Sequence, residues 1–480
     1  MTDSSLVVVS NRIPISFRRQ NGTLVAEASA GGLVSALEPV LQQHGGMWVG
    51  NVGTEACPEL EQQLDAATKG GNFRYVPVIL SEEEQTKYYE GFSNEVLWPL
   101  FHDLQSLCHF DPEYWDFYER VNRKFAEVTN ASSKQSDTIW IQDYQLLRVA
   151  HAIRESRPNA RISFFLHIPF PPPDIFAKLP WRREILEGLL GHDFIGVQTP
   201  RDERNLTASI RSFIPGAKIT GYRDHKTVFT AHSTTRIRAI PISIDFKDFS
   251  AAANAEAVVG RVESIRKQAA GMEIAVGVDR LDYTKGIPER MRAFRAFLRK
   301  YPQFRRKLTF IQVVVPSREG ILKYQDLLSD IERLISAING EFAEPGWTPI
   351  QYMHRAVSRE ELLALYRSAG IALVTPLKDG MNLVAKEYCA AHVDNLGVLI
   401  LSEFAGAMPE LRTGAITVHP YDELGIAEAL RLALEMPHLE RRRRMLRMRR
   451  QIRQSDILRW RDQNFEQIQQ QHEPSMKLAA

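Results

Sequence analysis

The sequence predicts an α/β protein built from two doubly wound, Rossmann-like domains facing each other across a cleft. Three observations lead there. Short, continuous apolar runs rich in β-branched residues alternate with helical patterns along the whole chain, which is how parallel strands covered on both faces read. The runs fall into two series, separated by a polar and alanine-rich segment from Asp245 to Met272. The chain has 480 residues, 44% of them hydrophobic and 25% charged, enough core for two or three domains.

In chain order, the first series comprises Leu6–Val9, Met47–Val49, Tyr75–Leu80, Thr138–Ile141, Ile162–Leu166, Phe194–Val197 and Ile237–Ile240. The second comprises Ile274–Val278, Leu308–Val315, Ile350–Met353, Ile371–Val374, Val398–Leu401 and Ile416–Val418. Residues 1–245 are therefore expected to form the first domain and residues 246–455 the second. The run Arg441 to Arg450 is strongly basic, but Met445, Leu446, Met448 and Ile452 interleave as an apolar stripe, so a solvated amphipathic helix is expected there. A last helix within 456–472 carries Leu458, Trp460 and Phe465 and should pack back on the body, ahead of a tail at 473–480 that is expected to be disordered. Ligands of doubly wound sheets lie beyond the carboxyl ends of the strands, so two facing sheets would hold theirs in the cleft.

A formal net charge of +2 supplies no field to attract nucleic acid or a membrane surface, and neither is an expected partner. The three cysteines, Cys57, Cys108 and Cys389, are far apart and suggest no disulfide framework, which fits a reducing cytosol. The amino end enters an apolar strand directly, without the pattern of a signal peptide. No apolar run approaches the roughly 20 residues that span a bilayer. A cytoplasmic enzyme is the expectation.

The strongest functional signal is the stretch from Val374 to Glu387. An apolar strand runs into a turn at Lys378-Asp379-Gly380, and a helix then starts with Asn382 near its first turn. Strand, glycine turn and helix amino end present free backbone N–H groups to an anion. Asp379 and Glu387 frame that site, so a diphosphate between a sugar and a ribose would suit it. The loop Arg280-Leu-Asp-Tyr-Thr-Lys-Gly286 leaves another strand end and offers Arg280 and Lys285 to the same anion. The alternative is a surface pair bound to Asp279 or Asp282. No D-x-D pair occurs, so charge on a diphosphate must be met by side chains and helix dipoles; no metal site and no cofactor are expected. In the first half, Arg12, Asp143 and His167 end strands, and Gly31 and Gly32 open a helix where backbone could approach a ligand closely. Arg318 repeats the strand-end arginine in the second half, and Tyr89 and Trp98 supply aromatic surface.

Taken together, these segments resemble the trehalose-6-phosphate synthases, retaining glycosyltransferases of the GT-B fold. The resemblance runs in order over most of the chain and is most specific at SNR (10–12), SAGGL (29–33), FSNEVLWP (92–99), FFLHIPFP (164–171), DRLDYTKGIPER (279–290) and TPLKDGMNLVAKEY (375–388). It implies transfer of glucose from a nucleoside diphosphate glucose, UDP-glucose first among the donors, to glucose 6-phosphate. The product would be α,α-trehalose 6-phosphate, formed by a same-face route in which the leaving phosphate takes the acceptor's proton. It implies Arg280, Lys285, His167 and Asp379 as the catalytic set. Gly31, Gly32, Val357, Met381, Asn382, Leu383, Val384, Ala385, Lys386 and Glu387 would hold the donor, with Glu387 on the ribose. Arg12, Tyr89, Trp98, Asp143 and Arg318 would hold the acceptor.

Two positions depart from the family pattern. Gln142-Asp143-Tyr144-Gln145 stands where HDYH is common, and Val357 stands where an aromatic residue is common. Three other readings stay open: a sister enzyme using glycerol 3-phosphate, an inactive sugar-phosphate sensor, and a nucleic-acid binder using the arginine helix. The donor base and the oligomeric state, a homo-oligomer included, are also left open.

Overall fold

The computed structural model describes residues 5–20, 23–28, 37–38, 40–42, 45–54, 57–68, 70–222, 225–318 and 320–469. The chain divides into two compact units, one of residues 1–242 with 458–480 and the other of residues 243–457.

Among the described residues the first unit holds a nine-stranded sheet. Its strands are β1 (Leu6–Arg12), β4 (Gly46–Asn51), β5 (Phe73–Val78), β6 (Thr138–Gln142), β7 (Arg161–Phe165), β8 (Phe194–Val197), β9 (Lys218–Thr220), β10 (Lys226–Phe229) and β11 (Thr234–Ala239). They lie in the order β5-β4-β1-β6-β7-β8-β11-β10-β9, and all neighbours are parallel except those of β10. The remaining pair, β2 (Ile15–Gln20) and β3 (Thr23–Ala28), is a separate antiparallel hairpin. Among the described residues the second unit holds a six-stranded, all-parallel sheet. It is formed by β12 (Glu273–Arg280), β13 (Leu308–Val315), β14 (Ile350–His354), β15 (Ile371–Val374), β16 (Val398–Ser402) and β17 (Ile416–Val418), ordered β14-β13-β12-β15-β16-β17.

Parallel strands need both faces covered, and the buried residues follow that demand. Val7, Val8, Val9, Ile139, Trp140, Ile141 and Phe164 have no exposed surface in the first unit. In the second unit Phe294, Phe297 and Met291 of the helix Ile287–Lys300 pack with Phe310, Ile371 and Ile400 of the sheet and with Leu430 of the helix Glu423–Glu435.

Each apolar run read from the sequence is a strand. Four further strands mix polar and apolar residues: β2 and β3, and the pair β9 and β10 at one end of the sheet. The segment 245–272, read as a boundary, is mostly helix. Phe246–Ala252 and Glu256–Gln268 belong to the second unit and bury Phe246, Val258 and Val262. The basic run lies on the helix His438–Gln454, where Met445, Met448 and Ile452 are buried but Leu446 is exposed, so the apolar stripe is narrower than expected. The last helix, Ile457–Gln469, packs on the first unit through Trp460, which stacks on Trp140 with ring centroids 5.5 Å apart.

Candidate active site

In the second unit the site is assembled where β12 and β15 end. β12 finishes in Arg280, which is exposed, and the chain turns through Tyr283–Lys285 into the helix Ile287–Lys300. That turn is fixed by Asp282, whose Oδ1 accepts hydrogen bonds from the Thr284 backbone N–H at 3.0 Å and the Thr284 hydroxyl at 2.9 Å. It closes at Gly286, with φ of +64° and no room for a side chain: a Cβ there would lie 2.5 Å from the Thr375 carbonyl oxygen. The Leu377 N–H donates to the Thr284 carbonyl at 2.8 Å, so the two strand-end loops are stitched together.

Lys285 Nζ consequently meets Asp379 Oδ2 at 2.6 Å, and Asn382 Nδ2 donates to the same oxygen at 3.1 Å. The Lys285 ammonium thus bonds a carboxylate of the facing loop, where the sequence offered Asp279 or Asp282, while its backbone N–H donates to the Asp282 carbonyl at 3.1 Å. Asn382 is the residue before the helix Leu383–Ala391, with φ of 72° in the left-handed region, and its Oδ1 is buried without a hydrogen-bond partner among the described residues. The first N–H groups of that helix, at Leu383, Val384 and Ala385, have no carbonyl of the same helix to pair with. The turn before it is held by the 404–407 segment: Ala407 N–H donates to Met381 O at 2.7 Å. Gly406 passes so close that a Cβ would lie 1.8 Å from Gly380 O.

Two of the expected donor-site residues turn their side chains into the protein. Lys386 points into the protein and pairs with Glu410 at 3.0 Å, with no exposed surface on its side chain. Ala385 is buried as well. Only the main chain of either residue is left for a ligand. Met381 is buried, and Val357 lies half-buried between β14 and the helix Arg359–Ser368. Glu387 receives a hydrogen bond at 3.0 Å from the hydroxyl of buried Tyr366. Burial pushes its carboxyl above the ordinary value, although Tyr366 and Arg359 both oppose that shift.

Arg318 follows β13 and stands at φ of 52°. Its Nη1 lies 3.4 Å from Asp282 Oδ2 and also donates to the Tyr324 hydroxyl. Burial alone would raise the Asp282 carboxyl, but Arg318, Lys285 and Arg280 together hold it below its ordinary value. The net direction is decided by the cations.

Beneath this surface lies a group that sequence reasoning missed. Arg290 has no exposed surface. It bonds Asp279 and Gln312 through Nη1, Thr375 Oγ1 through Nε at 3.0 Å, and the Lys285 carbonyl through Nη2 at 3.2 Å. A buried guanidinium left unpaired would be strongly destabilising, so this network holds β12, β13, β15 and the Lys285 loop in fixed register. The signal available was its place four residues after Gly286 in the DRLDYTKGIPER block.

In the first unit the structure groups the expected residues in two places. One extra residue between Val9 and Arg12 in the β1–β4 pairing bends the end of β1. Arg12 is exposed there, with its guanidinium 5.7 Å from the centre of the Tyr89 ring. Tyr89 lies on a wide-wound π-helix, Gln85–Leu97, tied to β1 by the Tyr88 hydroxyl on Asn11 at 3.0 Å. Trp98 follows directly, buried against His102 and Tyr144.

The second group is at the ends of β6 and β7. Asp143, at φ 72° and ψ 170°, occupies backbone space that only glycine adopts freely. Its Oδ1 accepts the His167 backbone N–H at 3.0 Å, and a His167 ring nitrogen lies 3.0 Å from Gln142 Oε1. Burial pulls the His167 imidazole down to about 3, so the ring is neutral at any ordinary pH. Gly31 and Gly32 lie outside the described residues. No cluster of three or more His, Cys, Asp or Glu suited to a metal ion occurs among the described residues.

Two Rossmann-like units, one of them with a cationic strand-end loop beside a helix amino end, define a sugar-nucleotide transferase of the GT-B class. The chain matches the model of glycosyltransferase family 20 over residues 4–470 and belongs to that family. A trehalose-6-phosphate synthase of Mycolicibacterium vanbaalenii is 43% identical over 466 residues, covering 95% of this chain and 94% of the relative. One of Mycobacterium leprae is also 43% identical, over 467 residues, covering 95% and 93%. Among solved structures, an α,α-trehalose-phosphate synthase (UDP-forming) of Burkholderia xenovorans in complex with glucose-6-phosphate superposes with a TM-score of 0.86 at 35% identity, covering 97% of this chain and 100% of that one. An E. coli trehalose-6-phosphate protein bound with UDP-2-fluoro glucose superposes with a TM-score of 0.88 at 37% identity, covering 97% and 99%.

Proposed function

We propose that the chain transfers glucose from UDP-glucose to glucose 6-phosphate with retention of configuration, releasing UDP and α,α-trehalose 6-phosphate. The observation that carries this reading is the junction of Lys285, Asp379 and Asn382 at the amino end of the helix Leu383–Ala391. A diphosphate entering there takes Lys285 and Arg280 as counter-charges and the first helical N–H groups as donors. As the glycosidic bond breaks, the leaving diphosphate gains charge, and these fixed cations and dipoles stabilise it without reorganising. Asp379 accepts hydrogen bonds from sugar hydroxyls, Glu387 from the ribose, and the main chain of Met381 to Lys386 lines the donor. Neutral His167 offers an uncharged hydrogen-bonding group to the donor glucose, and Arg12, Tyr89, Trp98, Asp143 and Arg318 serve the acceptor. The similar structures that hold glucose-6-phosphate and UDP-2-fluoro glucose support the substrate pair. The three cysteines are free thiols, which suits a reducing compartment, and cytoplasm is the location proposed. No described helix is long and apolar enough to cross a membrane.

The test is a grid of nucleoside diphosphate glucoses against glucose 6-phosphate, glycerol 3-phosphate and no acceptor, with product identified by NMR. The expected result is a 1,1-linked disaccharide phosphate from UDP-glucose and glucose 6-phosphate. In the same assay Lys285→Ala should lose about 2–4 kcal/mol of transition-state stabilisation. A glycerol glucoside as main product, or nucleotide release that does not depend on acceptor, would overturn the reading.

A further inference from the structure

One buried carboxylate touches both the donor-side loop and Arg318. Asp282 is 1% exposed. Its Oδ1 is occupied by the two Thr284 donors that shape the turn carrying Lys285. Its Oδ2 faces Arg318 Nη1 at 3.4 Å. Capping a turn needs only one oxygen and no charge, so the second oxygen and the full negative charge go beyond what the turn requires. Arg318 itself stands at φ of 52°, a conformation that a long side chain does not favour, so its backbone is held by its surroundings. Among the described residues its side chain is held by Asp282 and by Tyr324, whose ring centre lies 5.6 Å from the guanidinium carbon.

We propose that Asp282 is a positioning residue that holds the Arg318 guanidinium for the phosphate of the acceptor and links it mechanically to the loop that grips the donor diphosphate. The proposal rests on the reading of Arg318 as an acceptor-phosphate ligand. Through its two oxygens Asp282 gives one rigid reference to Lys285 on one side and Arg318 on the other. A displaced Arg318 therefore costs phosphate recognition while the nucleotide site keeps its shape.

Asp282→Asn separates the two duties. The amide oxygen keeps the cap on Thr284, whereas the amide N–H groups face Arg318 and repel it. The preference for glucose 6-phosphate over glucose, as a ratio of kcat/KM values, is measured in wild type, Asp282→Asn, Arg318→Ala and the double variant. Calorimetry gives UDP affinity in each. The expected result is a loss of preference of about tenfold or more in Asp282→Asn, with UDP affinity unchanged within about twofold and a double variant no worse than Arg318→Ala alone. Independent, additive losses would overturn the proposal, as would an unchanged preference with weakened UDP binding. An Arg318→Ala protein that keeps its preference would instead remove the acceptor-clamp reading, and this proposal with it. If Asp282→Asn folds poorly, Asp282→Ser, which keeps a capping oxygen and removes the charge, is read in the same cycle.

Discussion

Glu387 is a carboxyl under opposed influences. Burial raises it, while the Tyr366 hydroxyl and the field of Arg359 act the other way and do not win. Its folded value therefore lies above the unfolded one. The stability tied to this group is whole below the unfolded value of about 4.3 and is lost as pH rises through the folded value. Ionising Glu387 is thus a cost to the empty protein, and a ribose diol donating to the carboxylate offsets that cost. Glu387→Gln should raise the urea midpoint at neutral pH and weaken donor binding by about 1.5–3 kcal/mol, the range for hydrogen bonds to a charged group. In the wild type the donor KM should climb as pH falls through the raised Glu387 value, because the protonated carboxyl is a poorer acceptor. That limb should vanish in the glutamine variant. Initial rates at varied UDP-glucose over the acidic range decide it, and identical KM profiles for the two proteins would remove Glu387 from the ribose.

Elements are positioned by their ends, and the sharpest case is the turn at Gly286. An alanine there meets a left-handed backbone and the Thr375 carbonyl at 2.5 Å. Left-handed strain alone costs about 1–2 kcal/mol, and relief of the clash must move the Lys285 loop. Gly286→Ala should therefore lower both the unfolding free energy and kcat. Gly260, exposed within the helix Glu256–Gln268 with nothing within 4 Å of its would-be Cβ, is the matched control. Gly260→Ala should raise stability by about 0.5–1 kcal/mol and leave kcat alone; urea unfolding and turnover of the pair check both. These positions also mark what could be read from the sequence. Parallel strands were legible because double-sided burial writes continuous apolar runs, and the helix amino end at Asn382 was legible because turn chemistry is local. The hairpin β2–β3, the edge strand β9 and its neighbour β10 were not, since short antiparallel strands that mix polar and apolar residues write no continuous apolar run. The Asp245–Met272 segment read as a boundary because alanine-rich helices with few buried residues look like linkers. At the site, Arg280, Lys285 and Asp379 were legible as strand-end residues. Arg290, Tyr366 and the inward turn of Lys386 were not, because each is defined by a partner that folding alone brings near, as Lys285 and Asp379 are brought together across 94 residues.

At the scale of the whole chain, the polypeptide leaves the first unit after residue 242 and re-enters it at residue 458. The returning helix contributes Trp460, which is 1% exposed, to the first unit's core. Its ring stacks on Trp140 of β6, meets Phe165 of β7 edge-on at 5.0 Å, and lies 6.2 Å from His167. The carboxyl ends of β6 and β7, where Asp143 and His167 are held, thus rest on a residue from the far end of the sequence. Trp460→Ala removes a large buried ring and should cost about 3–5 kcal/mol. The loss should be local in origin. Amide exchange should quicken in β6 and β7 and in the 143–167 strand-end loops at denaturant concentrations where β12 and β13 keep their protection, because sub-global opening follows cooperative units. Catalysis should fall with the first unit, while UDP affinity, carried by the second, persists. Hydrogen exchange with peptide resolution, read beside calorimetry with UDP, makes the comparison. Exchange that quickens equally in β12 and β13 would show that the returning helix stabilises both units alike, and would remove it from the first unit's core as an exclusive member.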